Sequence, residues 1–310
     1  MKIIFMGIWF VYLYNYYAYL LRALGNSLTP LIYLAISVVL NIMLDIWFIV
    51  KLHYGIEGAA AATIISQAVS AIGLCFYCWK KVPETRLSRK DFKVSRQLMK
   101  QVFSYASLTC VQQSVMNFGI LMVQGLVNSF GTAVMAAFTA AVKIDSFAYM
   151  PVQDFGNAFS TFTAQNYGAG NWERIKKGNR LCIFGGSLIT FAACILLIIA
   201  MPVILNVFTK DAAVAAQTLE IVKVTFPFYF FYTVLECFSS NLRGFGKAFL
   251  PMIVTVISFC GFRIVALFAL MAKNPSPDKV ALSYPISWGI AAAAMAILYV
   301  RNNRNRSRKI

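Results

Sequence analysis

Eleven carboxylates serve this 310-residue chain, and four of them fall inside long apolar runs where an ionised group is costly. Glu236 lies in the middle of one run, among Tyr229, Tyr232, Ser239 and Ser240. Without a partner, a carboxylate there is hard to keep charged, so it could carry a proton or ligate Na⁺. Paired with a neighbouring lysine or amide, it would be structural. Lys143, Asp145 and Asp154 share a second run. Lys143 and Asp154 are expected on one helical face, about 16 Å apart along the axis, with Pro151 between them able to free a carbonyl. Lys143 and Asp145, two residues apart, do not face each other and need partners from other helices. A structural ion pair is the alternative for Lys143, and Asp154 is the stronger functional candidate.

Amides supply a different chemistry. Gln112, Gln113, Asn117 and Gln124 form a polar stripe, with 113, 117 and 124 at helical spacing. In hydrocarbon such groups either line a cavity or hydrogen-bond between helices. Asn41 and Asp45 are four apart and face one way, as expected of a pair that stabilises its own helix bundle. Arg263 and Lys223 also fall within apolar runs, where snorkelling or local pairing is the expectation. The seven cysteines are scattered mostly through apolar runs. Cys75-x-x-Cys78 has no second such pair, and His53 is the only histidine, so no metal centre is expected. No Ser–His–Asp set, dinucleotide fingerprint or phosphate-binding G-x-x-x-x-G-K-[ST] loop occurs. The residues point away from an enzyme, and any pumping must draw on ions or a separate partner.

The elements that hold these groups are set by hydropathy. The chain is 60% hydrophobic and 13% charged, against roughly 45–50% and about 25% in soluble domains. A soluble fold of this length cannot hide so much apolar surface. Nine segments are long enough to cross a bilayer as helices, at about 3–23, 31–50, 57–79, 103–129, 133–164, 181–207, 214–240, 248–271 and 280–300. Runs such as Ile183–Phe208 are apolar on every face, which excludes the alternating strands of a membrane barrel. The predicted class is an all-α membrane protein.

The formal charge of +17 raises the possibility of nucleic acid, but its distribution answers to a membrane instead. Lysine and arginine gather after the odd-numbered segments, from Arg22 through Lys80–Lys100 and Arg174–Arg180 to the tail Arg301–Lys309. The alternate connections hold only Lys51, Lys210, Lys273 and Lys279. By the positive-inside rule this places the C-terminus in the cytoplasm of a multi-pass protein of the plasma (inner) membrane. A lipid bilayer is then the expected partner, with no nucleic acid, and the basic tail rests in solvent near headgroups.

One stretch is duplicated. Leu21-Arg22-Ala23-Leu24-Gly25, ending at Pro30, returns as Leu242-Arg243-Gly244-Phe245-Gly246, ending at Pro251. Each copy follows a tyrosine-rich run, with Gly to end one helix and Pro in the first turn of the next. Gly58–Thr63 is echoed by Gly289–Met295. Segments one to three therefore correspond to seven to nine, while four to six have no upstream counterpart. Two six-helix halves lacking the first three helices are expected, the tandem plan of secondary transporters. The expected domains are a partial first lobe at 1–80, an inter-lobe linker at 81–100, a six-helix second lobe at 101–300 and a basic tail at 301–310.

The run Gln165-Asn166-Tyr167-Gly168-Ala169-Gly170, followed by Glu173-Arg174 and Gly178, resembles the exit of the eighth helix in MATE (multidrug and toxic compound extrusion) transporters. The L-R-x-x-G-x-x-x-x-P turns and Leu40–Asp45 match that family too, in order, with this chain covering helices four to twelve. The resemblance implies Na⁺- or H⁺-coupled antiport of small cationic or amphipathic drugs by a monomer without a cofactor, and an acidic site on the helix of Glu236. One branch of the family carries an acid on the helix of Gln112–Gln124, where this chain has only amides. Two alternatives remain open: a flippase of lipid-linked sugars, which needs a strongly cationic cavity, and a fragment that transports nothing.

Overall fold

The computed structural model describes residues 2–86, 95–272 and 276–307, and among them it is helical without a strand. Among the described residues, eight helices are long and apolar enough to span a membrane. The predicted first segment is divided into α1 (Lys2–Met6) and α2 (Ile8–Ala23). The break falls at Gly7, where a Cβ would lie 2.6 Å from the Ile64 side chain. Missing side-chain bulk lets the chain approach α4 (Gly55–Lys81) closely at that point, at the cost of a continuous helix. At sixteen residues, α2 extends only about 24 Å.

The chain divides into two compact units, Met1–Ser95 and Arg96–Ile310. The first holds α1, α2, α3 (Leu28–Asp45), a π-helical stretch Ile46–Lys51 and α4 (Gly55–Lys81). Its small core is Ala18, Leu21, Leu74 and Cys78. The second holds α5 (Arg96–Val127), α6 (Thr132–Gly168), α7 (Trp172–Phe208), α8 (Ala212–Thr225), α9 (Tyr229–Gly244), α10 (Phe249–Val256), α11 (Arg263–Met271) and α12 (Pro277–Ser307). A 3₁₀ turn through Pro227 joins α8 to α9, and a π-helical stretch Ile257–Phe262 joins α10 to α11. The expected linker lies partly outside the described residues, since 87–94 are not among them. The end of the basic tail, 308–310, is also outside them, and α12 carries the chain through Ser307.

Burial shows which solvent the fold is built for. The most apolar span, Trp172–Asn206, has a mean hydropathy of 2.9 yet only 22% of its most apolar window buried. Phe184, Leu196, Ile199 and Val203 are each about 70% exposed. Water would not tolerate so large an apolar patch, whereas acyl chains cost nothing there. The interior of the second unit is built from α6, α9 and α12, around Ile144, Tyr229, Leu242, Val280 and Met295.

The duplicated stretch gives the same backbone twice. Gly25 (φ 89°) and Gly246 (φ 79°) take the left-handed conformation that ends a helix. Asn26 N–H donates to the Leu21 carbonyl at 2.8 Å, and Lys247 N–H to the Leu242 carbonyl at 3.0 Å. Pro30 and Pro251 are each the third residue of the helix that follows. Gly170 (φ 72°) caps α6 in the same way, with Asn171 N–H on the Asn166 carbonyl at 2.9 Å. Asn166 is buried and donates its amide to the Phe162 carbonyl at 2.8 Å, while Gln165 and Gly168 sit on the exposed side.

Candidate functional site

Inside the second unit, six elements converge on a cavity of about 300 Å³. α5 contributes Gln113, Met116 and Asn117, and α6 contributes Val142, Lys143, Asp145, Ser146, Tyr149, Met150 and Gln153. The rest of the wall is Tyr229 and Tyr232 from α9, Phe259 from the π-helical stretch, Arg263 from the first position of α11, and Tyr284 and Trp288 from α12. On α6 the lining residues recur every three or four positions, which sets one helical stripe toward the cavity. The π-helical stretch adds a residue to the turn just before Arg263, a local feature common where side chains must be re-aimed.

The aromatic wall is continuous. Tyr229 and Trp288 have ring centroids 4.9 Å apart, Tyr232 and Trp288 5.8 Å, and Tyr284 and Trp288 6.1 Å. Tyr149 meets Tyr232 edge-on at 6.5 Å. Such a surface can hold a planar apolar body or face a cation.

Two opposite charges stand in this wall. Arg263 is 3% exposed, with its guanidinium 4.2 Å from the Tyr284 ring centroid and 4.6 Å from that of Phe259. Its Nε and Nη2 both donate to Ser287 Oγ at 3.0 Å, and among the described residues no carboxylate forms an ion pair with it. Asp145 faces it across the cavity near enough for their charges to interact. The Asp145 main-chain carbonyl accepts from the Tyr229 hydroxyl at 3.3 Å, but its Oδ1 is buried without a hydrogen-bond partner, as is the Tyr284 hydroxyl. Lys143 is exposed at the rim.

Of the residues singled out in the sequence, the cavity brings together Lys143, Asp145, Gln113, Asn117 and Tyr229. Lys143 and Asp145 share it despite their spacing, because the stripe is broad enough to take both edges. Gln112 and Asp154 do not line it. Asp154 is exposed, one position beyond Gln153, and lies outside the cavity lining. Glu236 is also absent from the lining. Arg243, the arginine of the duplicated turn, donates Nη2 to Glu236 Oε1 and Nη1 to Ser239 Oγ at 3.1 Å. The mid-run acid is therefore partnered two turns along its own helix, by an arginine instead of the lysine or amide expected. α5 reaches the same corner, since the Tyr105 hydroxyl donates to the Arg243 carbonyl.

Arg263 is the residue that sequence reasoning misplaced. Snorkelling was one expectation, but it is buried near the middle of the span Phe249–Met271 and cannot reach an interface. Its central position was the available signal. In the first unit, Asn41 joins Ser37, Thr63, Ser66, Gln67 and Ser70 around a smaller cavity of about 220 Å³. Asn41 Nδ2 and, outside that lining, Asp45 Oδ1 are buried without hydrogen-bond partners.

The MatE family model matches residues 109–268, just over half of the chain. The chain is 30% identical along its whole length to the Probable multidrug resistance protein YpnP of Bacillus subtilis, covering 69% of it. It is 25% identical over 87% of its length to the Probable multidrug resistance protein YoeA of the same organism, covering 60% of that protein. Among solved structures, the outward-facing conformation of a multidrug resistance MATE family transporter of the MOP superfamily superposes with a TM-score of 0.91. That match is at 19% identity and covers all of this chain and 69% of the other. The chain thus spans about 60–69% of the length of these relatives. By family model and by whole-length identity, the chain belongs to the MATE family of multi-pass membrane transporters, which are not enzymes.

Proposed function

We propose that this chain exports small cationic or amphipathic drugs by secondary active antiport, exchanging them for Na⁺ or H⁺. The observation that carries the proposal is the 300 Å³ cavity, which gathers an acid, amides and an aromatic wall inside a unit whose outer faces are apolar. Ionisable groups are kept within a membrane where they move or bind something. The duplicated helix turn supports two lobes that alternate access by rocking, and no bound cofactor is required. The charge alternation of the loops supports a plasma-membrane protein with its C-terminus in the cytoplasm.

The test is flux in proteoliposomes carrying an imposed Na⁺ or H⁺ gradient and loaded with a fluorescent cationic drug. Gradient-dependent movement that Asp145→Asn slows at least tenfold is the expected result. Movement no faster than in protein-free vesicles under either gradient would remove the assignment. A flippase of lipid-linked sugars draws some support from Arg263 and Lys143, which could hold a pyrophosphate. Reorientation of a labelled lipid pyrophosphate, with no drug flux, would favour that reading.

A further inference from the structure

One face of α7 joins a charged end to an apolar hollow, and the cavity of the second unit uses neither. Lys176, Lys177 and Arg180 are exposed in the first three turns of this helix. Among the described residues, none of the three forms an ion pair. From Arg180, positions 184, 187, 191, 195 and 198 follow every three or four residues, so one helical face carries them all. All five line a groove of about 550 Å³, which Phe226, Pro227 and Phe230 at the α8–α9 junction close on the other side. Its rim is open to the outside, with Phe184 73%, Phe191 66% and Phe230 52% exposed. The hydroxyls in its wall are already engaged: Ser187 Oγ donates to the Ile183 carbonyl at 2.6 Å, and Thr190 Oγ1 to the Gly186 carbonyl at 2.7 Å. The groove therefore asks for an apolar occupant, and the cations at its head ask for an anion. Along the axis Phe184 lies about 6 Å and Ile198 about 27 Å beyond Arg180. Against a hydrocarbon core of roughly 30 Å, the groove crosses the leaflet that meets these cations and passes the midplane.

We propose that this groove binds one anionic phospholipid, with Lys176, Lys177 and Arg180 on the phosphate and an acyl chain laid along Phe184, Leu188 and Phe191. Charge complementarity selects the occupant: basic residues between membrane helices hold anionic headgroups, whereas the ammonium of a zwitterionic lipid is repelled by the same cations. Arginine matches a phosphate with two parallel hydrogen bonds, and Arg180 stands at the centre of the face that runs into the groove. The volume lies within the about 300–1,000 Å³ of ordinary ligand pockets. Tyr229 lines both this groove and the 300 Å³ cavity, so the bound chain packs against the outer side of the cavity wall. The site stands whatever molecule the protein transports.

Three photoreactive probes that share one diazirine-bearing chain test this: a phosphatidylglycerol, a phosphatidylcholine and the plain fatty alcohol. Each is mixed at low fraction into phosphatidylcholine nanodiscs holding the full chain, and the labelled residues are mapped by peptide mass spectrometry. The phosphatidylglycerol probe is expected to label the groove, at Phe191 and Phe230 among others, at least tenfold more than the phosphatidylcholine probe. Combining Lys176→Gln, Lys177→Gln and Arg180→Gln should erase that preference. Where the triple variant fails to insert, Leu188→Trp fills the groove, keeps all three cations and should cut groove labelling at least threefold. Equal labelling by the two phospholipids in the wild type, a preference that survives the triple variant, or labelling unchanged by Leu188→Trp would overturn the proposal. Stronger labelling by the alcohol than by phosphatidylglycerol would overturn it as well, leaving the groove to an apolar molecule without a headgroup.

Discussion

Glu236 and Asp145 show how differently two acids in apolar runs can be used. Glu236 is held by Arg243, and side chains that are 10% and 19% exposed give the pair little water to fall back on. Glu236→Gln should therefore leave Arg243 without its counter-charge and cost about 3 kcal/mol. The check is thermal unfolding in detergent, where adding Arg243→Gln should recover much of the loss. An unchanged melting temperature in Glu236→Gln would mean the pair contributes nothing. The sequence made both acids visible as candidates, since a charge amid apolar residues is conspicuous. It could not assign their surroundings, because Arg243 lies two turns from Glu236 on the same helix, while Arg263, which lines the cavity with Asp145, lies on another. Distances along the chain favour neither one. Asp154 looked the stronger candidate on α6 and Gln112 no worse than Gln113 on α5, and only the rotation of α6 and α5 about their axes sets Asp145 and Gln113 at the cavity.

At the scale of elements, α6 and α9 meet through missing side chains. A Cβ on Gly244 would stand 2.6 Å from Thr163 Cβ and 2.7 Å from the Ser160 carbonyl, and one on Gly156 would stand 2.7 Å from Glu236 Oε1. Small residues let membrane helices approach closely where no hydrophobic force draws them together. Gly244→Ala should force the two helices apart and cost about 1–3 kcal/mol, read from denaturation in detergent. Gly246→Ala meets no neighbour but must hold φ near 79°, so it should cost only about 1–2 kcal/mol. If Gly246→Ala proved the more damaging of the two, close packing would not be what holds α6 to α9. Helix positions and the duplicated cap were legible, because hydropathy, glycine and proline each act locally. The break at Gly7 and the π-helical stretches were not, since they answer to contacts with other helices.

At the scale of the molecule, lipid replaces water as the medium for the outer faces. Lysine at Ile199, on the most apolar and least buried part of α7, should therefore raise the insertion free energy of that span by about 2.5–3.5 kcal/mol, measured in a translocon insertion assay. A lysine tolerated there without effect would contradict a lipid-facing α7. The membrane class was fixed by composition alone, and family membership follows from motifs that the folded caps reproduce. What the chain carries was less legible, because it depends on which polar groups from five separate elements meet in one space. The most direct test of that meeting is protection of a single cysteine, Ser146→Cys, in a chain whose seven native cysteines have been replaced. A membrane-impermeant thiol reagent should label it, and saturating drug should slow the labelling at least fivefold. Labelling at the same rate with and without drug would contradict the claim that this cavity is where the transported molecule binds.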